Sequence, residues 1–177
     1  MDQKMTNTVR ITSGKYKGRK ITTPGNGTHP MGERERLALF NMALEYIPGS
    51  RILDAYAGSG ALGIEALSRG AAEVEFIEKS SAAARVIRGN LQELELSARV
   101  FTGEAANFTS KDGFDVILAD PPYDNFDLAG LEHLAGYLKT GGIMILSHPD
   151  EAPEIVEMKL LTTRQYAAAH ISVYVKI

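Results

Sequence analysis

Arg51-Ile52-Leu53-Asp54-Ala55-Tyr56-Ala57-Gly58-Ser59-Gly60-Ala61-Leu62-Gly63 decides the fold of this chain: an apolar strand ends on an acid, turns on glycines and opens a helix. Glycines remove the Cβ atoms that would hold a ligand off the backbone, and the following helix presents unpaired N–H groups to an anion. Gly58, Gly60 and Gly63 fit G-x-G-x-x-G, and Glu78 stands 20 residues past Gly58, two features of a dinucleotide site that reads NAD. Asp54 opposes that reading, because its charge at the strand end repels a pyrophosphate and favours a cation. S-adenosylmethionine (SAM) satisfies all three features: its ammonium and sulfonium suit Asp54, its carboxylate the helix N-terminus, and its ribose hydroxyls Glu78. NAD and a tight turn that holds no ligand remain the alternatives at this stretch.

Outward from the turn, strand and helix signals alternate, as in a mostly parallel sheet with helices on both faces. Strands are expected at Arg51–Asp54, Val74–Glu78, Arg99–Thr102, Asp115–Ala119 and Ile143–Ser147, and helices at Gly60–Arg69, Ala82–Leu94 and Leu128–Leu138. Lys159–Tyr166 and His170–Lys176 are separated by three alanine positions, too few for a helical crossover, so they are expected to close the sheet as an antiparallel hairpin. An NAD-binding fold does not predict that ending.

Ahead of the turn, Val9–Ser13 and Arg19–Thr23 are β-prone runs around Gly14-Lys15-Tyr16-Lys17-Gly18, which reads as a hairpin. Arg10, Lys15, Lys17, Arg19 and Lys20 fall in it with Tyr16 and no acid. Lysines on an exposed edge can serve solubility alone; beside a SAM site the same residues suit a phosphate-contacting arm, with Tyr16 able to stack on a base. Leu37, Phe40, Leu44 and Ile47 repeat at helical steps from Glu33 to Ile47, stopped by Pro48-Gly49. The organisation expected is therefore a basic hairpin arm and loop over residues 1–32 and a SAM-binding domain over 33–177.

The whole chain has 177 residues, 44% of them hydrophobic, and a net charge of −3, enough for one full core. Residues 1–36 carry eight Lys/Arg against three acids, which leaves the remainder at −8. One basic end on an acidic protein suits contact with a polyanion. Cysteine is absent and the four histidines lack metal-ligand spacing, which excludes disulfides, thiolate zinc sites and cysteine nucleophiles. No metal, no membrane and a cytoplasmic monomer are expected.

Asp120-Pro121-Pro122-Tyr123 follows the fourth sheet strand, at the edge where α/β sheets hold ligands. The prolines remove two N–H donors, leaving the Asp120 carboxylate and peptide carbonyls as an acceptor-rich edge. An exocyclic base amine, whose lone pair is delocalised into the ring, needs such acceptors to become pyramidal and attack a methyl group; Tyr123 would hold the base by stacking. The alternative is a proline-rich turn with an aspartate cap.

Together Arg10–Lys20, Leu39-Phe40-Asn41, Asp54–Gly70 and Asp120–Tyr123 resemble the RsmD-type methyltransferases, which modify a guanine N2 in small-subunit (16S) ribosomal RNA. The resemblance implies a Rossmann-like SAM-dependent methyltransferase fold acting on rRNA or an assembling 30S particle. It implies that Asp54, Gly58, Ser59 and Gly60 hold the methionine end, Glu78 the ribose and Glu104-Ala105 the adenine, with Tyr56 and Lys79 also among the cofactor-binding residues. Asp120, Pro121, Pro122 and Tyr123 would meet the guanine. The sequence departs from the family pattern at His29-Pro30-Met31, where Arg-Pro-Thr is usual, at Glu33 ahead of Arg34, and at Glu104, where Asp is usual. Adenine-N6 methylation of DNA or RNA, for which Asp-Pro-Pro-Tyr is also a signature, and a non-catalytic RNA-binding assembly factor are the competing functions.

Overall fold

The computed structural model describes residues 7–25, 31–167 and 169–177. Seven strands form one sheet: β3 (Arg51–Ala55), β4 (Glu73–Glu78), β5 (Arg99–Thr102), β6 (Phe114–Ala119), β7 (Leu138–His148), β8 (Met158–Tyr166) and β9 (Ala169–Lys176), in the order β5-β4-β3-β6-β7-β9-β8. The strands β3 to β7 pair in parallel, whereas β9 runs antiparallel to both β7 and β8. The expected terminal hairpin is therefore present, with its second strand placed inside its first.

From β3 the chain steps through β4 to β5 on one side, then returns through β6 to β7 on the other. This reversal leaves a crevice between the C-terminal ends of β3 and β6, where Ala55 pairs with Ala119. Open α/β sheets bind their ligands at such a switch point. The helices α1 (Glu33–Met42), α2 (Ala61–Ser68), α3 (Ser81–Glu93) and α4 (Leu128–Ala135) cover the sheet. The core beneath α1, α2 and α3 contains Leu39, Phe40, Ile52, Ile64, Phe76 and Ile87; the opposite core contains Leu53, Phe108, Phe114, Leu131 and Met144.

Two expected spans end earlier. Residues 43–48 are turns rather than the last turns of α1, and α4 stops at Ala135 because the chain from Leu138 has already joined the sheet. The buried stripe over the expected helical span, Glu33 to Ile47, also differs. Arg36, Leu39, Phe40, Ala43 and Ile47 lie inside, whereas Leu37 and Leu44 are 36% and 62% exposed. Apolar periodicity assigns a leucine inward before an arginine; here Arg36 turns in because Glu65 and the Arg10 carbonyl receive it.

The hairpin pairs β1 (Thr8–Arg10) with β2 (Lys20–Thr22) and is docked on the domain. Ile11 and Ile21 belong to the same core as α1 to α3. Buried Glu65, on α2, accepts hydrogen bonds from the Thr12 and Ser13 N–H groups and the Thr12 hydroxyl, and it pairs with Arg36 and Arg69. Gly14 lies so close to α2 that a Cβ there would stand 1.8 Å from the Ser68 carbonyl oxygen. The glycine that sequence assigns to a turn is thus also required by contact. His29 and Pro30, where the sequence departs from the family pattern, and Ala168 lie outside the described residues.

Candidate active site

Asp54 sits at the end of β3, almost completely buried, with Oδ2 accepting the Gly63 N–H at 2.7 Å. Its Oδ1 is buried without a hydrogen-bond partner. Burial pushes its carboxyl well above the usual carboxylate range, and the nearby charges of Asp120 and Glu78 push the same way, against the Gly63 N–H. A buried acceptor with no donor is costly unless a ligand supplies one. A cation with N–H donors meets both demands.

The glycine turn is built around this acid. A Cβ on Gly63 would fall 2.3 Å from the Phe76 ring, so this glycine lets α2 approach β4. Gly58 faces open space, and its N–H donates to Glu78 Oε2 at 2.8 Å while Ser80 N–H donates to Glu78 Oε1 at 2.8 Å. Glu78, expected only to meet a ribose, therefore also holds the turn; each oxygen keeps a lone pair for a hydroxyl. Ser59 is buried and its carbonyl accepts from Asn90 Nδ2 at 3.0 Å. Lys79 and Glu104 are exposed, and Ala105 is buried in a short 3-10 turn beyond β5. Since Gly103 N–H donates to the Glu78 carbonyl, that turn is fixed beside the end of β4.

Across the crevice, Asp120 follows β6 and is half-buried. Desolvation pushes its carboxyl up to about 6, with a hydrogen bond from Ser147 opposing the rise. Pro121 is buried and Pro122 exposed; Tyr123 begins a 3-10 turn and is 38% exposed. Its Oη lies 2.5 Å from Ser147 Oγ. The far end of this segment is held by Asp127, which caps α4 through the Gly130 N–H and accepts from Tyr56 Oη at 3.0 Å. Burial, then the Asp127 charge, raises the Tyr56 hydroxyl far above its ordinary value, so it remains a donor. Tyr56 itself adopts φ 60°, an uncommon conformation for a side-chain-bearing residue, at the crevice floor.

The fold thus brings Asp54, Glu78 and Asp120 close enough for their charges to act on one another, while Arg10, Lys15, Lys17, Arg19 and Lys20 are exposed on the docked hairpin. Tyr16 is half-buried against the core, with Lys15 Nζ 5.3 Å from its ring centroid. Part of the ring is already covered. Asn90 and Ser147 carry no signal in the sequence, because each matters through a partner distant in the chain; Asp127 is legible as a cap of α4 but not as the partner of Tyr56. Among the described residues, no group of three or more His, Asp or Glu side chains is disposed to hold a metal, and no helix is long and apolar enough to cross a membrane.

The sequence profile of a family described as "Conserved hypothetical protein 95" matches residues 9–175. The chain is 34% identical over 182 residues to "Putative rRNA methyltransferase YlbH" of Bacillus subtilis, covering 95% of this chain and 99% of that protein. It is 40% identical over 129 residues to ribosomal RNA small subunit methyltransferase D of Haemophilus influenzae, covering 68% of this chain and 66% of that one. The solved "Putative methyltransferase yhhF" of Escherichia coli superposes with a TM-score of 0.85 at 30% identity, over 96% of this chain and 98% of the other.

Proposed function

The chain belongs to the family described as conserved hypothetical protein 95, and from that membership we propose that it is an rRNA methyltransferase transferring a methyl group from SAM to the exocyclic N2 of a guanine in 16S rRNA. The observation that carries the methyl-transfer reading is the unpaired Asp54 oxygen beside a glycine turn, opposite Asp120 and Tyr123. Relatives named as small-subunit rRNA methyltransferases support the RNA substrate.

SAM fits the residues present. Asp54 would receive its ammonium, the turn at Tyr56, Gly58, Ser59 and Gly60 its methionine end, Glu78 and Lys79 its ribose, and Glu104-Ala105 its adenine. Bound there, SAM supplies an electrophilic methyl group carried on a sulfonium. The protein's task is to prepare the amine. The Asp120 carboxylate accepts an N–H bond of the base, and the neighbouring peptide carbonyls, freed of competing donors by Pro121 and Pro122, accept the other. Both contacts strengthen as the nitrogen becomes pyramidal, so they favour the transition state over the bound base. Tyr123 holds the ring by stacking, and Asp120 takes the proton that the methylated nitrogen loses. The hairpin contacts phosphates, and the division at residue 32 is a functional one between RNA-contacting arm and catalytic domain. We place the reaction in the cytoplasm, with a monomer acting on rRNA or an assembling 30S particle.

Labelled SAM offered with unmodified small subunits, naked rRNA and DNA tests the reading, the modified nucleoside being identified by mass spectrometry. N2-methylguanine in 16S rRNA is the expected product. N6-methyladenine, or label in DNA, would replace this function by the adenine alternative.

Two further outcomes are expected. Asp54→Asn keeps a side chain that can accept the Gly63 N–H but loses the charge, so calorimetry should find SAM binding about 10- to 100-fold weaker, the value of a charged hydrogen bond, and no NAD binding in either protein. Neutral replacements at Lys15, Lys17, Arg19 and Lys20 should weaken RNA binding and lower its log–log salt slope by roughly one unit for each phosphate no longer neutralised, with SAM affinity unchanged. An unaltered slope would make the hairpin a solvated surface.

A further inference from the structure

Strand register sets Ser147 beside the reacting edge. Leu118 pairs with Ile145 and Ala119 with Leu146, so the next residue on each strand, Asp120 and Ser147, emerges at the same end of the sheet. Ser147 is buried. Its hydroxyl makes the 2.5 Å contact with Tyr123 Oη, and the register sets it beside the Asp120 carboxylate, whose rise in pKa it opposes. Residues 122–125 are all exposed, and this contact holds the tyrosine by its hydroxyl.

We infer that Ser147 is a positioning residue for methyl transfer, aligning the Asp120 carboxylate and the Tyr123 ring on one base through a single hydroxyl. The inference rests on the roles assigned above to Asp120 and Tyr123. The direction of the hydrogen bonds follows from chemistry: an ionised carboxylate only accepts, so the Ser147 hydroxyl donates to Asp120 and its oxygen accepts the Tyr123 proton. One effect is on orientation, because the donated bond engages one side of the carboxylate and leaves its remaining lone pairs for the base amine. The other is on charge, because a hydrogen bond to the ionised form opposes the desolvation that favours the neutral acid. A protonated Asp120 offers its best acceptor no longer, so the serine extends activity toward lower pH. Through the same oxygen the tyrosine is tethered by its polar tip, which leaves a ring face for stacking.

The test is a pH–rate profile under single turnover for wild type, Ser147→Ala, Ser147→Thr, Tyr123→Phe and Asp120→Asn, with SAM binding measured beside each. Ser147→Ala should move the acid limb upward by about one pH unit, making it roughly fivefold slower than wild type at pH 6, and raise KM for RNA while SAM affinity stays unchanged. Ser147→Thr, which restores a hydroxyl, should return the limb to its wild-type position. Tyr123→Phe keeps the serine–aspartate bond, so it should raise KM for RNA with a smaller movement of the limb. An acid limb unmoved in Ser147→Ala overturns the inference. Should that variant fail to accumulate folded, Tyr123→Phe decides: wild-type KM and profile there overturn it equally. Asp120→Asn separates the two levels of argument, since a fully active Asp120→Asn enzyme removes the active-site reading itself, whereas an inactive one beside an unaffected Ser147→Ala removes only the role of the serine.

Discussion

Replacing Asp120 by asparagine is expected to lower the methylation rate about 100-fold or more, at the lower bound of what positioned acid–base groups contribute, with SAM binding retained. The same substitution should make the protein more stable at neutral pH. Burial holds the folded-state pKa of Asp120 at about 6, above the ordinary carboxylate value of roughly 3.9. Above pH 6 the group is ionised in both states, and the folded state alone bears the desolvation of the charge. As pH falls from 6 toward 4 the folded protein takes up a proton before the unfolded chain does, and the penalty disappears. Denaturation of wild type and Asp120→Asn should therefore differ by about 1–3 kcal/mol at pH 7 in favour of the variant, and converge near pH 4. A reaction that needs a partly desolvated negative charge keeps it at a cost to the fold. If the variant is less stable at pH 7, Asp120 is a structural acid and the assignment of the reacting edge is wrong.

Glu65→Ala carries the second large effect, and on stability rather than chemistry. The carboxylate receives three hydrogen bonds from Thr12 and Ser13 and lies against two arginines, Arg36 and Arg69, of which Arg36 is as buried as the acid. Burial, opposed first by the Glu65 charge, lowers the Arg36 pKa. Without Glu65 a buried guanidinium loses its counter-charge, a change that typically costs about 3–5 kcal/mol. Urea denaturation measures the loss. A double variant, Glu65→Ala with Arg36→Leu, should recover part of it, because the uncompensated charge goes with the arginine. An undiminished unfolding free energy in Glu65→Ala would mean that the hairpin is held by its other contacts, the packing of Ile11 and Ile21 and the Asn90 bonds to Thr22 among them.

The alternation of strands and helices, the antiparallel terminal hairpin and the glycine turn are all legible from residue order, because each depends on local periodicity or on short-range turn chemistry; the placing of β9 inside β8 is not, since it depends on pairing with β7. Asp54 and Asp120 were each legible as strand-terminal acids. Their meeting was not. It depends on β3 and β6 pairing in parallel, a long-range contact that no window of sequence contains. Arg36 was hidden for a related reason: apolar spacing ranks Leu37 and Leu44 as the inner face of α1, and only the presence of Glu65 on another helix makes burial of an arginine tolerable. The same holds for Ser147, an ordinary residue at the end of an apolar strand until Tyr123 folds over it.

Asn90 gives the docked hairpin a further meaning. Its side-chain amide donates to the carbonyls of Thr22 and Ser59 and accepts the Thr22 N–H, so one side chain joins β2, α3 and the glycine turn. Together with Glu65 and the shared core around Ile11 and Ile21, this makes residues 8–22 part of the domain's cooperative unit rather than an appendage that opens on its own. Amide hydrogens of the hairpin that bond to the domain, such as those of Thr12, Tyr16 and Thr22, accordingly exchange with solvent only when α2 and α3 also come apart. A chain shortened to begin at residue 33 would lack more than an RNA contact: it would strip Glu65 and Asn90 of their partners Thr12, Ser13 and Thr22 and lose two isoleucines from the core.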